Sequence, residues 1–213
     1  MNIKIKKLVD WDVALDDALF TVNKEQKHKQ PSDKWIAKTC LAQHSMLRDV
    51  RYILEMEEIP CWVSQHIARH DAFSGHNTRE TQETHFVGTS RTDRTGVDRK
   101  KLPQDAPVNH RISLSAQDFI TISQKRLCNC ASKETRDVWK GVIEKLKEID
   151  PVLADKCVPT CVFRGFCPEY ECCGYCNTEA FKKWLEDYRN VEQYSSTAPQ
   201  EIKQQGYNPG FVC

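Results

Sequence analysis

Three groups of residues have the chemical capacity to make a site. The arginines Arg69, Arg91, Arg94, Arg99, Arg126 and Arg136 recur beside Ser, Thr and Gly, in stretches that read as loops or helix ends. A guanidinium placed there can grip a phosphate or a polar ring edge through two parallel N–H donors. Any one of them can equally be a solvated surface charge. Among the histidines, His66 and His70 stand at i, i+4 spacing, which could ligate zinc. Ile67 follows the first of them where a zinc hydrolase carries Glu, so hydrolytic metal chemistry is not expected. The third group is Cys157, Cys161, Cys167, Cys172, Cys173 and Cys176, with one Cys-x-x-Cys from Cys173 to Cys176. Soft thiolates at short spacing suit a structural Zn2+. Cys161, Cys167, Cys173 and Cys176 are the favoured ligands, since adjacent Cys172 and Cys173 would strain a tetrahedral site if both coordinated. Buried free thiols are the competing reading. A redox pair needs a helix start after a strand, which the surrounding Pro and Gly disfavour.

These side chains need elements to hold them. Ile3 to Leu8 alternates apolar and basic residues and predicts a half-buried strand. Pro31-Ser32-Asp33 is a helix start, and Ile36, Cys40, Leu41, His44, Leu47, Val50, Ile53 and Leu54 follow at helical spacing. They predict one long amphipathic helix from Ser32 to Glu58 with His44 on its buried face, as a core residue or a cofactor contact. Pro60 begins a short helix carrying Trp62, His66, Ile67 and His70 and ending near Asp71. Ser74 to Val108 is polar and reads as a long functional loop. Ser115 to Asp118 resembles a capping box opening a helix with Phe119, Ile120, Ile122 and Leu127. Ser132 caps another with Val138, Trp139, Val142, Ile143, Leu146 and Ile149, stopped before Pro151. Both should pack on the sheet. A Cys, Pro and Gly-rich knot, a short helix from Thr178 to Tyr188 and a polar tail complete the chain.

The chain's 213 residues accommodate one main core, here residues 1–156, with the segment 157–213 packed on it. Lys+Arg of 31 against Asp+Glu of 30 leaves no net field to draw polyanions, so any basic site is local. No run approaches the roughly 18 apolar residues of a membrane helix, and the N-terminus alternates instead of forming a signal-peptide block. A cytoplasmic location is expected. Eleven cysteines without a secretion signal point to thiols or metal ligation over a disulfide framework.

The order of segments resembles the flavin-dependent thymidylate synthase (ThyX) family, in a short, phage-like variant. The family signature is Arg-His-Arg followed by Ser, Asn-Glu and Ser-x-Arg, with an upstream His and a downstream Arg-bearing helix. The corresponding pieces are His44, SQHIARH at Ser64 to His70, FVGTSRTDRTG at Phe86 to Gly96, and SLSAQDFITISQKRLCNCASKETR at Ser113 to Arg136. Together they cover roughly Trp35 to Pro168. The resemblance implies an α+β fold with a mostly antiparallel sheet packed by long helices. It implies reductive methylation of dUMP to dTMP with FAD, methylene-tetrahydrofolate and NADPH, in a homotetramer whose sites combine several subunits. Arg126 would be the catalytic residue and contact the pyrimidine, while His66, Arg69, Thr89, Ser90 and Arg91 would complete nucleotide binding. His44, Arg69, His70, Gln117 and Thr121 would contact the flavin. Asp71 stands at the third place of the Arg-His-Arg triplet, His66 at the place of a Gln, and no Asn-Glu precedes Thr89. These changes leave room for dCMP as acceptor, or for hydroxymethyl transfer. A zinc-organised nucleic-acid-binding module built on Arg91 to Lys101 is the reading from another class, and it lacks an aromatic stacking series.

Overall fold

The computed structural model describes residues 1–68, 87–89, 96, 98–103 and 105–197. Its centre is an antiparallel sheet of β1 (Asn2–Val9), β2 (Arg51–Pro60), β3 (Val87–Thr89) and β4 (Pro107–Ser115), in the order β1-β2-β4-β3 among the described residues. Register follows side-chain alternation: Ile3 faces Met56, Ile5 faces Leu54, and Leu54 in turn faces Ile112. Tyr52, Leu54 and Met56 on β2, and Val108, His110, Ile112 and Leu114 on β4, are all buried. The period of two puts them on one face, where each large apolar side chain contributes about 1.5–3 kcal/mol.

The long helix expected from Ser32 to Glu58 does not form. Helix α2 (Asp33–Ala42) starts as expected, with Ser32 Oγ accepting from the Trp35 N–H at 3.3 Å, but Gln43 takes a left-handed φ of 49° and closes it. A 3-10 turn (Ser45–Arg48) then leads into β2. Leu47, Val50, Ile53 and Leu54 fit a helical face, yet Val50, Tyr52, Leu54 and Met56 fit a strand face equally well. Partners on both edges of β2 decide in favour of the strand. His44 is consequently an exposed residue at the head of the 3-10 turn and not part of a buried helix face. The polar stretch to Val108 is likewise not all loop, since β3, a 3-10 turn (Arg99–Lys101) and the start of β4 lie within it.

Helices α1 (Trp11–Thr21), α3 (Cys61–Ala68), α4 (Ala116–Arg126), α5 (Lys133–Lys147) and α6 (Pro151–Lys156) pack into one core with the buried face of the sheet. The capping box opening α4 is present: Ser115 Oγ accepts from the Asp118 N–H at 3.2 Å, and the Ser115 N–H donates to Asp118 Oδ2 at 2.8 Å. Val138, Trp139, Val142 and Leu146 form the buried stripe of α5. Gly141 lets this helix lie close on β1, because a Cβ there would come within 3.1 Å of Ile3 Cδ1. Buried Asp150 ties the layers together, accepting from Trp11 Nε1 at 2.6 Å and the Tyr52 hydroxyl at 2.7 Å and pairing with Lys7 Nζ at 2.9 Å. Beyond α6, helices α7 (Thr160–Arg164) and α8 (Glu179–Arg189) enclose a small second core of Val158, Val162, Phe181 and Tyr188. Buried Lys156 links the two cores, donating to the Tyr188 carbonyl at 2.5 Å and lying 5.3 Å from the ring centroids of Tyr188 and Tyr194. Among the described residues, no helix is long and apolar enough to cross a membrane.

One buried group makes the fold sensitive to acid. His110 on β4 is 1% exposed, and burial holds its pKa down at about 4, below the ordinary 6.5. A depressed folded value means that the unfolded chain takes up the proton first as pH falls. The neutral ring's contribution is therefore complete above about pH 6.5 and is lost as pH drops through about 4, a change of about 3 kcal/mol. Urea midpoints measured across this window should fall less steeply for His110→Leu than for the unmodified chain. Identical acid limbs would rule the assignment out.

Candidate functional site

The last turns of α3 and α4 meet where the chemistry was expected. The Arg126 guanidinium, half-buried at the end of α4, donates from Nη2 to the backbone carbonyl of His66 at 2.7 Å. That carbonyl belongs to the last turn of α3 (Cys61–Ala68), where a cation complements the helix dipole. The His66 ring lies with Nδ1 3.3 Å from Thr135 Oγ1, at the start of α5, and Trp62 meets its edge at a centroid distance of 5.2 Å. Thr135 Oγ1 in turn accepts from Ser132 Oγ at 2.8 Å. Three helices thus bring a planar cation onto the backbone of His66, whose imidazole meets the Trp62 indole and Thr135. Such a set suits a flat ring bearing a carbonyl.

A second polar group lies at the other end of α4. Gln117 Nε2 donates to Gln43 Oε1 and to Thr121 Oγ1, both at 3.2 Å, and the Thr121 hydroxyl donates to the Gln117 carbonyl at 2.9 Å. Gln117 precedes Arg126 by roughly 13 Å of helix rise. The expected residues therefore form two clusters, His66 with Arg126 and Gln117 with Thr121. His44 follows Gln43 in the chain and is exposed. Thr89 lies on β3 with His110 as its partner on β4. Arg69, His70, Ser90 and Arg91 fall outside the described residues. Gln43 and Thr135 were not among the expected residues, since neither follows a motif; their contacts with Gln117 and His66 arise from chain segments packed onto α4 and α3.

The expected zinc set is not assembled. Cys161, Cys167, Cys173 and Cys176 all line a cavity of about 770 Å³ between the end of α4, α5 and the α7–α8 segment. Among the described residues, however, no group of three or more His, Cys, Asp or Glu side chains stands ready around one metal position. Cys173 takes a hydrogen bond from Asn129 Nδ2 at 3.8 Å, while Cys172, left out of the set, has its sulfur 3.4 Å from that of Cys176. Of the six cysteines for which buried free thiols are the competing reading, only Cys157 is buried; Cys40, outside that segment, is buried as well. Burial pushes Cys157 up to about 12 and raises Cys40 well above the usual thiol value, so both remain protonated near neutrality.

No protein-family model matches the chain, and no curated protein matches it in sequence. Solved structures do match. A crystal structure of the flavin-dependent thymidylate synthase ThyX from Helicobacter pylori complexed with FAD and dUMP aligns with a TM-score of 0.55 and 14% identity, over 74% of this chain and 100% of that one. A second structure of ThyX from the same organism, also with FAD and dUMP, gives the same TM-score and identity over 74% of this chain and 99% of that one. At this identity the likeness is one of fold. It agrees with the α+β arrangement of antiparallel sheet and packed helices expected above, and leaves part of this chain without a counterpart.

Proposed function

We propose that the chain is a flavin-dependent thymidylate synthase that methylates dUMP to dTMP. The observation that carries the reading is the placement of Arg126 beside His66 by α3, α4 and α5, in a fold like that of proteins solved with FAD and dUMP. Arg126 pairs with a pyrimidine carbonyl and the adjacent ring nitrogen, and its fixed charge stabilises the ring as C5 becomes nucleophilic. The carbonyl of His66 holds the guanidinium plane, so the cation needs little reorganisation during the reaction. Gln117, Thr121 and Gln43 present neutral amide and hydroxyl groups, which fit the hydrogen-bonding edge of a flavin ring, with His44 beside them. FAD supplies hydride transfer when bound, with methylene-tetrahydrofolate as carbon donor and NADPH as reductant. Arg69, His70, Thr89, Ser90 and Arg91 complete the site in this reading, in a homotetramer.

The purified chain should carry the visible absorbance of an oxidised flavin, bleached by NADPH. Incubation with NADPH, methylene-tetrahydrofolate and either dUMP or dCMP, followed by product mass, identifies the acceptor. A methyl gain on dUMP supports the reading. A chain that neither carries nor takes up FAD, or one with reducible flavin that leaves both nucleotides unchanged, overturns it.

A further inference from the structure

We propose that Cys172 and Cys176 form a reversible dithiol–disulfide pair that exchanges with small-molecule disulfides. Methyl transfer has no part in the inference. It begins with two sulfurs already in contact, Cys172 Sγ lying 3.4 Å from Cys176 Sγ. A disulfide bond is about 2.05 Å long, so these atoms have about 1.4 Å to close, which side-chain rotation supplies. The pair is not the Cys-x-x-Cys. Cys173 Sγ instead accepts from Asn129 Nδ2 at 3.8 Å, so the two adjacent sulfurs meet different partners.

The turn between the cysteines makes the contact. Gly174 takes a φ of +80°, which a residue with a Cβ rarely adopts, and opens the 3-10 turn Tyr175–Asn177. From there the chain is anchored. The Thr178 hydroxyl donates to the Tyr175 carbonyl at 2.8 Å, and the Tyr175 ring meets those of Phe181 and Trp184 edge-on, with centroids 5.9 and 6.4 Å away. Cys176 itself packs against the small core of Val158, Val162, Phe181 and Tyr188. One thiol is therefore held in place, while Cys172 stands exposed across the turn.

Exposure and hydrogen bonding divide the roles. The Gly174 N–H donates to Cys172 Sγ at 3.4 Å, and the Cys176 thiol can turn its proton to the same sulfur. Both donors favour negative charge on Cys172, which makes it the attacking thiolate. It gives its proton to solvent and displaces one half of the small disulfide, which leaves as a thiolate and is protonated. Cys176 then loses its proton and attacks Cys172 Sγ, expelling the second half in the same way. The net change oxidises two cysteine thiols to one disulfide and reduces one small disulfide to two thiols. Tyr175 and Cys176 line the cavity of about 770 Å³, so the cross-link fixes part of its wall.

The test uses the full chain, reduced, freed of reductant and equilibrated with mixtures of glutathione and glutathione disulfide. Remaining thiols are then alkylated in denaturant and the peptides weighed. Cys172 and Cys176 should join in a disulfide that dithiothreitol reverses, at ratios that leave Cys161 and Cys173 as thiols. Cys173→Ser should oxidise to the same extent, whereas Cys172→Ser should lower the oxidised fraction by on the order of 10-fold or more. Cys176→Ser should stop at the glutathione adduct of Cys172. The proposal is overturned if the unmodified chain forms no disulfide, joins Cys173 to Cys176, or keeps the adduct on Cys172 with Cys176 free, and equally if Cys172→Ser oxidises as the unmodified chain does.

Discussion

Arg126→Ala is expected to lower turnover by on the order of 10²–10³-fold while FAD stays bound, the loss seen when one preorganised charge donor is removed from a transition state. The two effects separate because the polar group of Gln43, Gln117 and Thr121 lies toward the opposite end of α4 and does not depend on the guanidinium. The substitution also removes the hydrogen bond to the His66 carbonyl, worth about 1.5–3 kcal/mol for a charged donor, so a thermal melt should accompany the assay. Arg126→Lys distinguishes charge from geometry. Lysine restores the cation and much of the stability but not the planar pair of donors, so its kcat should stay low while KM for dUMP partly recovers. Wild-type kcat in Arg126→Ala would remove this residue from the chemistry.

Asp150→Ala should cost about 3–5 kcal/mol of stability, roughly 10 °C in Tm for a chain of this size. One carboxylate here serves four elements: Lys7 on β1, Trp11 on α1, Tyr52 on β2, and the Leu153 N–H in the first turn of α6. Its removal leaves an indole N–H, a phenol and a largely buried ammonium without their common acceptor, which costs more than any single hydrogen bond contributes. Asp150→Asn keeps an acceptor and loses the charge, so it should fall between the two. The alkaline side gives an independent check. Burial works against a charged Lys7, but Asp150 and Asp10 outweigh it, so its pKa lies above the ordinary 10.5. The pair's stabilisation is then complete below about pH 10.5 and is lost as pH rises through the higher folded value. Asp150→Ala should lack most of that alkaline loss. A ΔΔG below about 1 kcal/mol from urea unfolding would mean that the hub is not a stability determinant.

Much of the architecture was legible in residues close together in the chain. The alternation at Ile3 to Leu8, the Ser32 cap of α2, the Ser115–Asp118 box of α4 and the Thr178 cap of α8 all depend on hydrogen bonds or side-chain periods spanning a few residues. The stretch through β2 was not legible in this way. Val50 to Met56 satisfies two periodicities at once, and only pairing with β1 and β4 separates them. The candidate site divides along the same line. Arg126 and His66 could be nominated from residue type and motif order, but the bond joining them crosses 60 residues. The thiol cluster shows the limit most sharply. Spacing favoured Cys173 because it completes a Cys-x-x-Cys, whereas the turn at Gly174 brings Cys172 to Cys176 and leaves Cys173 against Asn129. Residue type and local hydrogen bonding therefore determined which groups were available and where most helices start. Which strand pairs with which, and which side chains share a site, was decided by packing between distant segments, because that energy exists only once both partners are in place.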